Sequence, residues 1–325
     1  METIPEACSA LDIDTVKIVT GCPRSAVRLP RSPVGRENGD VIDLHTHSTA
    51  SDGTDTPAEL VRQAAAAGLD VVGLTDHDTT SGWAPAVEAL PPGLTLIRGA
   101  EVSCRWFGPD RTVGLHMLAY LFDPAEPAFA AELARVKQAR ESRAERMVGL
   151  LRADGVDIDW DEIHAFAAGG TVGRPHIAQA LVRAGLVGTV SEAFASHWLG
   201  SRYRVPKEDV EVFTALKLIR GAGGIPVFAH PLAARRGPIV PDELIAELAA
   251  AGLFGIEADH EDHTPAERAH VRELAADLGL VVTGSSDYHG HNKVVRLGAN
   301  TTAPEVLDRI VDAATGAKPV VGAHA

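Results

Sequence analysis

His45 and His47 stand two residues apart where the apolar segment Val41–Leu44 ends, and Asp52 follows five residues later. Side chains two apart on a strand project to the same side, so the two imidazoles would point together. Ligand-type residues also end the other apolar stretches. They are His77 in TDHDT, Glu101 in GAEVS, His116 in GLHML, His230 in FAHPL, and Asp287 and His289 in SSDYHG. Each has an ordinary reading when taken alone. His116 could be a hydrogen-bonded core histidine, Glu101 a cap or ion-pair partner, and His230 a turn residue before Pro231. The coincidence carries the weight, because every ligand type falls where its strand should end. Imidazoles mixed with carboxylates suit Zn²⁺, Mn²⁺ or Fe²⁺. Nine such groups exceed one ion's needs, and with a bridging carboxylate they suit two or three ions a few ångströms apart.

The elements that must position these groups alternate. Val41–Leu44 reads as a strand. Thr56 is an N-cap candidate before Pro57, opening a helix that stops at Gly68. LDVVGLTDHDT, LTLIRGAEVSC, VGLHMLAYLF, GIPVFAHP, GLFGIEADH and GLVVTGSSDYHG each read as an apolar strand followed by a polar cluster, with alanine-rich helices between the later ones. Such repetition indicates a parallel α/β architecture with its sites at the C-terminal strand ends. Residues 124–206 break the pattern. PAFAAELARVKQARESRAERMVGLLRADG reads as one long helix, and DWDEIHAFA, RPHIAQALVRAGL and VSEAFASHWLG as shorter ones. This is expected to be a helical insertion over the strand ends, acting as a substrate lid. Residues 1–39, rich in Arg, Pro and Gly, read as a loosely ordered extension.

Composition sets the bounds. A chain of 325 residues with 45% hydrophobic content can bury a sizeable core. No apolar run approaches membrane-spanning length and no secretory signal is visible, so the sequence reads as a soluble cytoplasmic protein with no membrane partner. Cys8, Cys22 and Cys104 offer neither CxxC spacing nor an even count, which argues against a disulfide framework. A formal charge of −14 disfavours duplex DNA as a partner. An anionic substrate would need a local reversal of sign, and two or three divalent ions supply one.

The ordered motifs DLHTHSTASDGTDTP, GLTDHDT, GAEVS, LH, AHP and SSDYHG resemble the PHP (polymerase and histidinol phosphatase) superfamily of metal-dependent phosphoesterases. The resemblance runs from about Asp40 onward and points to the branch of nucleoside 3′,5′-bisphosphate phosphatases and 5′-to-3′ exoribonucleases. It implies a distorted (β/α)7 TIM-like barrel, with the catalytic part in residues 40–123 and 207–325. It implies that His45, His47, Glu101 and Asp287 hold one ion. Glu101 as a bridge shares a second with His116 and His230, and Asp52, His77 and His289 hold the third. Glu101, Asp287 and His289 also count as catalytic. Some relatives carry histidine where this chain has Asp52, a change that favours a harder metal or weakens the third position.

The chemistry expected of this set is attack on phosphorus by a water ionised between two ions. Outside the ligands, Asp43 and Asp76 are candidates for orienting imidazoles or for structural capping. In VGRPHIAQALV, Arg174 before Pro175 places a guanidinium at a helix start, a phosphate clamp, with His176 beside it. His263 is a further substrate-binding candidate and His260 a weaker one. Arg202, Arg204 and Lys207 form a small basic patch read as a solvated loop, while His164, His197, His270 and His324 read as surface or tail residues. The expected substrate is a small phosphorylated nucleotide, or the 5′ end of a short RNA. Histidinol phosphate, an amide, and a non-catalytic metal-binding role are the competing readings.

Overall fold

The computed structural model describes residues 40–167 and 170–323; the 1–39 extension and His324 lie outside the described residues. Nine strands form one sheet. The main path runs β1 (Ile42–Thr46), β2 (Val71–Leu74), β3 (Thr95–Phe107), β4 (Thr112–Tyr120), β6 (Ile225–Phe228), β7 (Gly255–Asp259) and β8 (Val281–Gly284). Two short strands, β5 (Val210–Glu211) and β9 (Val320–Val321), pair with β3. The path nearly closes into a barrel, because Thr46 bridges Tyr288 just past β8 and the His47 N–H donates to the Tyr288 carbonyl at 2.8 Å.

One expectation is corrected here. The main strands are parallel except β4, which is antiparallel to both β3 and β6. The cause is the connection. Only Gly108–Arg111 joins β3 to β4, whereas a parallel crossover needs a dozen residues or more. The hairpin therefore rises past the rim at which β2 stops. Glu101 lies midway along β3 and His116 midway along β4, rather than at strand ends. Glu101 still sits level with the rim, since it bridges His77 just beyond β2.

Local chemistry sets the helix starts. Thr56 caps α1 (Pro57–Ala66) with a full capping box to Glu59. The outer helices include α2 (Trp83–Glu88), α7 (Val212–Gly221), α8 (Asp242–Ala250), α9 (Pro265–Leu278) and α10 (Pro304–Ala313). The long helix is α3 (Pro127–Ala153). Its first half packs Phe129, Leu133 and Val136 into the main buried cluster, and its second half packs Met147 and Leu151 into a separate one. That second cluster adds Ile163 of α4 (Trp160–Phe166), Ile177 and Leu181 of α5 (Arg174–Arg183), Leu199 and Tyr203. VSEAFASHWLG is not one helix. It splits into α6 (Val190–Ala193) and a turn at Ser196–Gly200, where the Gly200 N–H donates back to the Ala195 carbonyl. A Cβ at Gly200 would stand 2.3 Å from the Phe194 carbonyl oxygen, so only glycine permits this return.

Candidate metal centre and adjoining cavity

His45 is the penultimate residue of β1 and His47 follows the strand, and both are fully buried. Their Nε2 atoms lie 3.0 Å apart. Glu101 Oε2 approaches them at 3.3 and 3.1 Å, and Asp287 Oδ1 stands 3.4 Å from each. Four donor atoms thus converge on one point. The other oxygen of Glu101 faces a second group. His116 Nδ1 is 2.7 Å and His230 Nε2 2.9 Å from Oε1. His77 stands between the groups, with Nδ1 3.2 Å from Glu101 Oε2 and Nε2 3.8 Å from Asp52 Oδ2. His289 Nε2 completes a third gathering, 3.4 Å from Asp52 Oδ1. All nine ligand candidates come together, and Glu101 spans the first two groups.

The surroundings fix which atoms face inward. His289 Nδ1 bonds the Asp287 carbonyl at 2.8 Å, leaving Nε2 for Asp52. His45 Nδ1 meets Glu257 Oε1 at 3.2 Å, which leaves Nε2 pointing at Glu101. A carboxylate behind a ligating imidazole sets its tautomer and raises its basicity. Glu257 also accepts from Ser285 Oγ and from the His230 N–H. His230 (φ 32°) and Asp287 (φ 53°) hold left-handed backbone, a strain that persists only where the surroundings impose it.

Burial alone would keep these carboxyls protonated. For Asp52 and Glu101 the facing histidines outweigh it, and for Asp287 chiefly Lys293 and Arg236, followed by His45 and His289; all three are held well below the usual carboxylate range. His45 chiefly does the same for Glu257, bringing it to about 2. Burial, helped by Arg236, pushes His230 down to about 3, and burial also pushes His77 well down; the neutral imidazole is the ligating form. His47 goes the other way. Burial opposes its charge, but the Asp287 and Glu101 carboxylates raise it to about 9.

A divalent ion fits this arrangement. His77 Nδ1, His116 Nδ1 and Asp287 Oδ1 are buried without a hydrogen-bond partner, although each points into the cluster. Unpartnered buried polar atoms are costly, and a cation between them supplies what hydrogen bonds do not.

The remaining candidates divide. His263 is buried with both ring nitrogens committed to backbone. Nδ1 donates to the Ala258 carbonyl and Nε2 accepts from the Leu232 N–H, so no nitrogen remains for a substrate. His176 is buried and accepts from the Gly173 N–H at 2.9 Å, capping α5. Asp76 accepts from Ser48 and Ser51, and Asp43 from Ser286 and Gly298. Both pin loops rather than imidazoles. His260 is tied closely to the cluster, 3.1 Å from Asp287 Oδ2.

The basic patch divides. Arg202 pairs with Asp154 on the surface, while Arg204 and Lys207 line a cavity of about 530 Å³. The same cavity is lined by Arg174, Arg235 and Arg236, and it reaches His116 and His230. Among the described residues, no Asp or Glu lines it. Arg236 Nη2 also donates to Asp287 Oδ2 at 2.5 Å, and Lys293 Nζ donates there at 2.6 Å. Glu257, Arg235, Arg236 and Lys293 escaped the sequence reading. Glu257 carried a usable signal, a lone carboxylate within the otherwise apolar strand GLFGIEA.

A nearly closed barrel with this ligand-lined rim is the layout of a metal-dependent hydrolase, and comparison with known proteins makes it a metal-dependent phosphoesterase. The PHP domain pattern matches residues 43–158. The chain is 35% identical over 271 residues to a 5′-3′ exoribonuclease of Haemophilus influenzae, covering 83% of this chain and 96% of that protein. It is 36% identical over 252 residues to a 3′,5′-nucleoside bisphosphate phosphatase of Chromobacterium violaceum, covering 76% and 87%. Among solved structures, a metal-dependent phosphoesterase from Bifidobacterium adolescentis superposes with a TM-score of 0.79 at 37% identity, over 85% of this chain and 97% of the other. The chain belongs to the PHP family.

Proposed function

We propose that this protein hydrolyses phosphate esters of small nucleotides, with nucleoside 3′,5′-bisphosphates and short 5′-phosphorylated RNA as substrates. One observation carries the reading. A cavity lined by four arginines and a lysine, with no acidic residue, opens on His116 and His230 of the ligand cluster. An overall acidic protein has concentrated its positive charge where a doubly phosphorylated ligand would lie. The names of the exoribonuclease and bisphosphatase relatives support the same substrate class.

His45, His47, Glu101 and Asp287 would hold one ion, Glu101, His116 and His230 a second, and Asp52, His77 and His289 a third, with Mn²⁺, Zn²⁺ or Fe²⁺ suited to such donors. Bound there, divalent ions acidify water and neutralise charge gathering on phosphoryl oxygens. The chain's own residues do the rest. Glu101 spans two positions and Glu257 holds the His45 ring. Arg174, whose guanidinium lies over Phe194 at 5.2 Å, meets the second phosphate together with Arg204 and Lys207. Arg174 and Arg204 both come from residues 124–206, which makes that segment the substrate-binding subdomain. An amide would leave this charge without a counterpart, so a phosphate ester is the better match.

The test is phosphate or nucleotide release by protein stripped with chelator and reloaded with Mn²⁺ or Zn²⁺. A nucleoside 3′,5′-bisphosphate, short 5′-phosphorylated RNA, histidinol phosphate and a carboxylic ester form the panel. Turnover of the first two, lost in Asp287→Ala and His45→Ala with the fold retained, is expected. Preference for histidinol phosphate or the ester, or full activity in either variant, would overturn the reading.

A further inference from the structure

The β3–β4 hairpin carries a ledge leading away from the metal cluster. Its pairing register sets Ser103 opposite His116, Arg105 opposite Gly114, and Phe107 opposite Thr112. Residues two apart share a face, so these three pairs form one line from the rim to the hairpin tip. At roughly 3.4 Å per residue, Thr112 lies roughly 14 Å along the strand from His116.

A second cavity of about 420 Å³ sits over the outer part of this line. It shares Gly114, Arg204 and Lys207 with the first cavity and adds Arg105, Phe107, Thr112, Pro206 and Asp209. Its features suit a nucleotide unit. Phe107 is 58% exposed, and the Arg105 guanidinium lies 4.9 Å from its ring centre, so an aromatic face and a cation stand together. The buried Arg105 Nε has no hydrogen-bond partner. Gly114 leaves the shared floor bare, for a Cβ added there would meet nothing within 4 Å. The one acid of the lining, Asp209, stands 3.5 Å from Lys207 and pairs with none of the lining arginines, so Arg105 and Arg204 face the cavity as cations.

We infer that this ledge is a second nucleotide subsite, in which the base of the unit next to the reacting one stacks on Phe107 while its backbone phosphate meets Arg105 and Arg204. The inference rests on the nucleotide reading above and assigns the residues that would hold the second unit of a short strand. Stacking on an aromatic ring tolerates any base, so the subsite would favour length over sequence.

The experiment compares two substrates in the metal-loaded protein, a nucleoside 3′,5′-bisphosphate and a 5′-phosphorylated dinucleotide. Phe107→Ala is expected to lower kcat/KM for the dinucleotide about tenfold, in line with the loss of one stacked base, and to leave the bisphosphate within about twofold. Phe107→Trp should keep the dinucleotide rate, and Arg105→Gln should lower it without moving the bisphosphate. Equal effects on both substrates, or none on either, would overturn the subsite. If the wild type turns over neither substrate, the nucleotide reading itself fails, and the two failures are thereby told apart.

Discussion

Glu257 touches no position proposed for an ion, yet it determines which nitrogen His45 presents. Glu257→Gln should weaken metal affinity about 10- to 100-fold while leaving the ligands in place, as read by titration of stripped protein. Arg174→Ala should raise KM for the bisphosphate by about ten- to a hundredfold, the range of a lost charge-assisted bond, with a smaller change in kcat. The pH dependence of metal loading has a definite sign. His47, raised to about 9, carries a proton at neutral pH in the ion-free site, and a metal must displace it. Apparent affinity should therefore climb as pH rises from 6 to 9, and titration in buffers of different ionisation enthalpy should show proton release. At this scale the nine ligand candidates were legible because histidine and carboxylate are conspicuous after apolar runs. Arg235 and Arg236 were not, since an Arg–Arg pair in a loop is ordinarily solvated and only the fold turns it into a cavity wall. His263 shows the opposite case. Its place after a strand looked functional, but spare backbone donors and acceptors claimed it.

At the scale of elements, α3 is tied to the barrel near the site through Arg140. Arg140 donates to Asp78 Oδ2 at 2.8 Å and to Ser103 Oγ at 2.5 Å, with Asp78 buried. Arg140→Met should cost on the order of 3 kcal/mol in unfolding free energy, because a buried carboxylate loses its cation. The double variant with Asp78→Asn should recover part of it, and denaturant melts of the three variants measure the coupling. The order of the seven main strands was legible, since each begins as an apolar run between turn signals, whereas the two-residue strands β5 and β9 were too short to show. The direction of β4 was readable too, had Gly108, Pro109 and Asp110 been taken as a tight turn leaving no room for a crossover. The break after α6 was not. It depends on Gly200 touching the Phe194 carbonyl, a contact that no local pattern announces.

For the whole molecule, two fields of opposite sign coexist, a net −14 overall and a cation-lined cavity. Added salt should therefore lower kcat/KM for a bisphosphate, with the effect carried in KM, as initial rates across a salt series would show. Removing the metal should cost stability. Glu101, Asp287 and Asp52 are buried together, and an ion that binds the folded state alone stabilises it by mass action. Chelation is expected to lower Tm by roughly 5 °C or more, restored on adding back Mn²⁺ or Zn²⁺. No helix among the described residues is long and apolar enough to cross a membrane.

The donors at the rim come from opposite ends of the described chain, His45 and His47 from its start and Asp287 and His289 from close to its finish. During synthesis the early histidines emerge long before the late aspartate exists, so a nascent polypeptide has no complete cage to offer. At the position shared by His45, His47, Glu101 and Asp287, the full donor set exists only once the seam between Thr46 and Tyr288 has shut. An ion held there would act as a clasp across that seam, tying the start of the described chain to its finish.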